Sequence, residues 1–314
     1  MNSNRIKIRS RASTNGTYSV IGAVGLLLLF GFATKFASLK PSNLVLILQQ
    51  SYVLLICSTG VFFVMSMGSL DFSQGAIVGV ASIAVILAGQ KYFIVGVLAG
   101  SLTGVIIGLV NGVIHAKLKV GSFIVTICSM LAFRGLCAFL TTDAPFSAPM
   151  YMYMMDPEKY AIPLSFAVLI VGGLIATGTK FGKAVRMIGA GERATRYSGL
   201  HIEWIKIGAF VLSGFLAGLA ASVNVLRVGS ITASAGNLIE TNVMIALVLG
   251  GLPVSGGAHT KFRSVILGVI MLSILNNGLV LLKVEPNVQQ LIRGVIFLVI
   301  VALTTDRKAI SVIK

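Results

Sequence analysis

Few residues in this chain are of types and spacings that do chemistry. Gly173 to Lys180 reads GLIATGTK, close to the glycine-rich loop that grips nucleotide phosphates. That loop needs a lysine followed by Ser or Thr after its last glycine. Here Thr179 stands where the lysine belongs, so the phosphate grip is missing. Gly189-Ala190-Gly191-Glu192-Arg193-Ala194 matches a dinucleotide fingerprint with Ala at its last place. The fingerprint works only between a strand and a helix of a parallel sheet. Here it lies in a short connection between apolar stretches. His115, His201 and His259 are far apart, and Cys57, Cys128 and Cys137 lack metal-ligand spacing. The cysteines read as small core residues. No catalytic residue, metal site or cofactor is expected.

Three ionisable residues fall in or beside apolar segments: Arg134, Arg293 and Glu240. Such groups are costly in a membrane and often functional, or else form structural ion pairs. With nine Asp and Glu in 314 residues, and none securely in the middle of an apolar stretch, an ion-coupled carrier is disfavoured.

The elements that hold these residues follow from composition. Hydrophobic residues make up 56% and charged residues 11%, with mean hydropathy +0.96. Soluble domains carry about 25% charged residues. There is too little charge here for a solvated skin, so lipid must cover much of the chain. Crossing about 30 Å of hydrocarbon takes roughly 20 apolar residues as a helix. The pattern predicts about ten such segments: 18–39, 43–66, 75–89, 93–114, 122–141, 161–178, 206–226, 239–255, 265–282 and 287–304. The third and eighth are short and interrupted by glycine, so broken helices are expected there. The segments are continuously apolar, without the alternation of a β-barrel. The expected fold is an all-α polytopic integral membrane bundle of about ten transmembrane helices. Its parts are a basic cytoplasmic segment 1–17, one membrane domain over 18–304 and a cytoplasmic tail 305–314. The basic, then apolar, start reads as a retained first helix.

The net charge of +16 invites a nucleic-acid reading. Its distribution argues otherwise. With a cytoplasmic N-terminus, only Lys35, Lys40, Lys91, Lys159, Arg227 and Lys283 fall outside, and Arg134 and Arg293 within spans. Every other Lys and Arg lies inside, as the positive-inside rule requires. Both termini are then cytoplasmic, and the partner of the basic chain is membrane lipid.

Gly96, Gly100, Gly104, Gly108 and Gly112 recur every four residues on one face of the fourth helix. Small residues at that spacing let helix backbones approach closely. Gly214 and Gly218 are expected to do the same in the seventh. In the inner connection 179–205, Glu192–Tyr197 (ERATRY) suits a short helix bounded by Gly189, Gly191 and Gly199.

Several segments resemble the permease subunits of ribose-type sugar ATP-binding cassette (ABC) importers. Gly68-Ser69-Leu70-Asp71-Phe72-Ser73-Gln74-Gly75 is similar to the family's Gly-Gly-Ile-Asp-Leu-Ser-x-Gly. Residues 108–135, 189–200 (GAGERATRYSGL), 248–257 (VLGGLPVSGG), Asn276-Asn277-Gly278 and 289–294 (QQLIRG) follow the family's order. Departures are Ser69 for Gly, Gly121 for Pro, Gly191 for Asn, and Ala258 to Arg263 for a glycine-rich connection.

The resemblance implies a division of labour. An extracytoplasmic binding protein delivers a monosaccharide. Two permease subunits form the path in a bacterial inner membrane. ATPase subunits below hold ATP and Mg, and the permease binds none. Arg186, Gly189, Glu192, Arg193, Arg196 and Gly199 are then the expected docking residues for the ATPase. Asp71, with Ser73 and Gly75, is expected to cap a helix or fix the bend before it. Gln49, Gln50, Asn276 and Asn277 are candidates for the solute path, or for bonds between helices. Permeases for nucleosides, branched-chain amino acids or a signalling sugar remain alternatives, as does a stand-alone channel or ion-coupled carrier.

Overall fold

The computed structural model describes residues 21–304. The basic segment 1–17 and the tail 305–314 lie outside the described residues. Each of the ten predicted apolar segments forms a helix. They are α1 (Ile21–Ala33), α2 (Pro41–Ser66), α3 (Gln74–Ala88), α4 (Phe93–Lys117), α5 (Ser122–Leu140), α7 (Pro157–Gly178), α10 (Ile202–Val228), α11 (Ile239–Leu249), α12 (Arg263–Leu281) and α13 (Pro286–Thr304). Among the described residues, α2, α4, α5, α7, α10 and α12 are long and apolar enough to cross a membrane. Three smaller helices complete the set: α6 (Met150–Tyr153), α8 (Lys180–Ala190) and α9 (Glu192–Tyr197). Two short strands, β1 (Phe146–Ser147) and β2 (Ser230–Ile231), pair antiparallel, with Phe146 opposite Ile231.

Several boundaries differ from the sequence reading, each for a local reason. The first segment stops at Ala33, because Lys35 and Phe36 turn left-handed before a single 3₁₀ turn over Ala37–Leu39. The eighth ends at Leu249, where Gly250 and a left-handed Gly251 break it. At about 22 Å and about 16 Å, α3 and α11 are shorter than the hydrocarbon they would cross. The connection 179–205 is not a loop with one short helix. Thr179 accepts a bond from the Gly182 N–H and starts α8, and α10 already begins at Ile202.

The closest packing lies between α4 and α10. A Cβ on Gly104 would overlap the Gly214 carbonyl, and one on Gly214 would overlap the Gly104 carbonyl. A Cβ on Gly218 would likewise overlap the Gly100 carbonyl, while one on Gly100 would meet a Val85 methyl first. Gly108 and Gly112 rest on Phe210 and Ile207, and Gly96 on Val85 of α3 and Gly89 just past its end. The two helices touch backbone to backbone, as small residues permit. α2 runs through the centre, with Ile56, Cys57, Val61 and Val64 fully buried. By contrast only 17% of the most apolar stretch of α5 is covered. Cys128 on α5 is exposed, unlike the buried Cys57 and Cys137.

Candidate functional site

Where α2 ends, Gly68 adopts φ +77 against the Ser255 carbonyl and an irregular segment leads to Ser73. Asp71 is 1% exposed here and accepts four bonds. Oδ1 takes the Ser73 N–H at 3.0 Å and the Ser73 hydroxyl at 2.6 Å. Oδ2 takes Gln74 Nε2 at 2.8 Å and the Ser213 hydroxyl of α10 at 3.0 Å. Asn111 of α4 donates to Ser73 Oγ at 3.0 Å. Asp71 is therefore not the helix cap. Ser73 holds the N-cap position of α3 and its side chain caps nothing. Asp71 instead fixes the bend two residues earlier and ties it to α10, an Asx turn with tertiary partners. Gly75 lies in the first turn of α3, and a side chain there would overlap Glu240 Oε2 and the Gly236 carbonyl.

Each of the three ionisable residues in or beside apolar segments has a polar partner. Arg134 Nη2 of α5 donates to Glu240 Oε1 in the first turn of α11 at 2.9 Å. The arginine side chain is 31% exposed and the glutamate 6%. Glu240 Oε2 is buried without a partner. Arg293 of α13 donates to Asn242 Oδ1, also on α11, at 3.0 Å. The short helix α11 is thus held by arginines from two neighbours.

The four amides expected along a path do not come together. Asn277 is buried and pairs reciprocally with Asn43 of α2, at 2.8 and 3.0 Å. This is helix-to-helix bonding, and the Asn277 amide is spent on it. Its neighbour Asn276 is half-buried, with an unpartnered Oδ1. Gln50 is exposed on α2. Gln49 bonds Glu158 and lines a cavity of about 150 Å³ with Tyr52, Pro157 and Arg227.

On the opposite end, α8 and α9 form one surface. Arg186 points inward and donates to the carbonyls of Ala176 and Gly182 at 3.0 and 3.3 Å, so it joins α8 to α7. Gly189 has no room for a side chain against the Ser66 carbonyl, and Gly257 N–H bonds that same carbonyl at 3.1 Å. Gly199, at φ +80, ends α9. Within α9 only Thr195 is buried, bonded to the Met187 and Gly191 carbonyls. Glu192, Arg193, Arg196 and Tyr197 are exposed, Tyr197 at 92%. Glu192 is also held by Lys206 of α10 at 2.8 Å. A cleft of about 700 Å³ separates α9 from the α4–α5 turn and is lined by His115, Lys119, Arg193, Arg196, Glu203 and Lys206. Among the described residues no group of His, Cys, Asp and Glu is arranged to hold a metal.

Residues 43–301 match the model of the family described as branched-chain amino acid transport system / permease component. The chain is 32% identical over 281 residues to the ribose import permease protein of Bacillus subtilis (strain 168), covering 86% of each chain. It is 27% identical over 305 residues to the D-allose transport system permease protein of Escherichia coli (strain K12), covering 93% of this chain and 91% of the relative. The L-arabinose transport system permease protein of the same strain is 32% identical over 248 residues, covering 76% and 75%. No solved structure matches. An all-α, multi-pass membrane bundle, matched to one transport family over nearly all its described length, is a transport protein rather than an enzyme. The chain belongs to the branched-chain amino acid transport system / permease component family.

Proposed function

We propose that the chain is the membrane-spanning permease of an ABC importer, passing a monosaccharide that a binding protein delivers outside. The observation that carries this is the set of relatives: ribose, allose and arabinose permeases match over most of the chain. The family description names branched-chain amino acids, but these full-length relatives favour a sugar.

In this reading ten membrane segments place both termini in the cytoplasm, consistent with the basic charge gathered there. The exposed face of α9 docks on an ATPase subunit, which holds ATP and Mg. Glu192, Arg193 and Arg196 supply the polar contacts. Gly189 passes the motion to the ends of α2 and of the 250–262 connection. A second permease subunit covers part of the bundle. The assembly is a two-state bundle whose equilibrium is biased by partners at both faces.

Reconstitution tests this. The chain assembled with its ATPase and binding protein should take up radiolabelled D-ribose, D-allose or L-arabinose only with ATP. Uptake by the chain alone, down a gradient, would replace this reading with a channel or carrier.

A further inference from the structure

A guanidinium deep inside an apolar helix is costly unless it faces protein or water. Arg134 lies well inside α5, the least covered of the six helices long enough to cross a membrane, and about a third of its side chain is open. Hydrocarbon cannot be what covers that open part.

Its partner carries the complementary irregularity. Glu240 gives Oε1 to Arg134, while Oε2 is buried with no donor. Buried carboxylate oxygens are almost always satisfied, so an unsatisfied one calls for a reason. Two glycines flank it. Gly75 leaves bare backbone against Oε2, and Gly236, at φ +75, packs on the Gly75 carbonyl. Any side chain at 75 would occupy the space beside Oε2.

An arginine has five N–H donors, and the contact to Glu240 engages one nitrogen. Spare donors and a spare acceptor therefore lie side by side. The pair is neutral as a unit, so neither charge is free as a counterion. A zwitterion or anion would have to split it. A neutral molecule with adjacent hydroxyls would not: one hydroxyl accepts from the guanidinium, and its neighbour donates to Oε2.

We propose that Arg134 and Glu240 form a contact for the hydroxyls of the passing solute, and that the α5 face bearing Arg134 borders the hydrated path. The assignment rests on the reading of the chain as a sugar importer permease. Arg134, the exposed member, meets the solute first. Oε2, sealed beneath it in this state, becomes reachable as the guanidinium swings toward a hydroxyl.

The test uses the full importer in proteoliposomes with radiolabelled D-ribose, D-allose and L-arabinose. E240Q should assemble and keep its ATPase activity, yet raise the half-saturating sugar concentration inside the coupled cycle about tenfold, as loss of a charged hydrogen bond does. R134K, which keeps the ion pair but loses the planar fork, should do likewise. The double variant R134M/E240L removes the pair without leaving a lone charge. If it transports like wild type, the pair is structural and the proposal is wrong. Wild-type kinetics in R134K would overturn it too. A second readout is independent of the sugar. In a C128S background, Arg134→Cys should react with a hydrophilic, membrane-impermeant thiol reagent. Absence of labelling would mean that lipid or protein covers the site, and would sink the proposal. A wild-type importer that carries none of the three sugars, with labelling intact, would instead count against the sugar reading and leave the hydrated contact standing.

Discussion

Asn43 and Asn277 exchange their side-chain amides, Nδ2 of each donating to Oδ1 of the other across the contact between α2 and α12. Asn43 Nδ2 also reaches the Ser38 carbonyl at 2.8 Å. A buried amide pair between apolar helices stabilises their register, by about 0.6–2 kcal/mol in membrane proteins. N277A should lower stability by about that amount and leave the sugar concentration for half-maximal uptake unchanged. Thermal unfolding in detergent and uptake kinetics check the two halves. A changed half-saturation at unchanged stability would put Asn277 back on the path.

The α4–α10 contact predicts a sharp contrast between glycines. G104A places a methyl where the Gly214 carbonyl stands, with backbone on both sides and no flexible atom to yield. Overpacking of this kind costs about 1–3 kcal/mol. G135A on α5 meets nothing within 4 Å and should be neutral. Melting temperatures of the two variants, purified side by side, decide this.

Asp71 has four donors, so its removal leaves a larger deficit than a missing cap. D71A should destabilise by about 2–4 kcal/mol, because several buried donors lose their acceptor. D71N keeps acceptors on one oxygen and should cost roughly half as much. S213A, which deletes one of the four bonds, should cost about 1 kcal/mol. Chemical or thermal unfolding orders the three. Equal effects of D71A and D71N would mean that the negative charge matters more than the bonds.

R193E should weaken ATPase assembly and coupling with no loss of stability, since Arg193 is exposed on α9. E192K should act on both, because it also breaks the bond to Lys206. Pairing it with K206E should restore the stability part alone, a change within about 1 kcal/mol for an exposed pair. Pull-down of the ATPase and its sugar-stimulated hydrolysis are the measurements. Normal coupling in R193E would remove α9 from the docking surface.

The sequence carried the fold to the level of helices, because continuous apolar runs admit few other structures in lipid. It carried α9 to its ends, since Gly191 and Gly199 punctuate a polar run. The face of the glycine ridge was legible from spacing alone. α8 was not, because its lysines hid a helix whose buried side is Ala184, Val185 and Ile188. Pairings across the chain were also out of reach. Asn43 and Asn277 are 234 residues apart, and Arg134 and Glu240 are 106 apart. No local pattern encodes such partners. That is why Asn277 reads equally well as a path residue, and why the pattern marks Arg134 and Glu240 as candidates for ion pairs without naming each as the other's partner.

At Ser66 the end of α2, the end of α8 and the 250–262 connection meet through main-chain atoms, with Gly189 and Gly257 contributing no side chains. Side chains act as springs, because their rotamers can take up small displacements. This junction has none to compress. A displacement of α8 at this point would therefore bear directly on the backbone of two other segments, with no side chain between them to take it up.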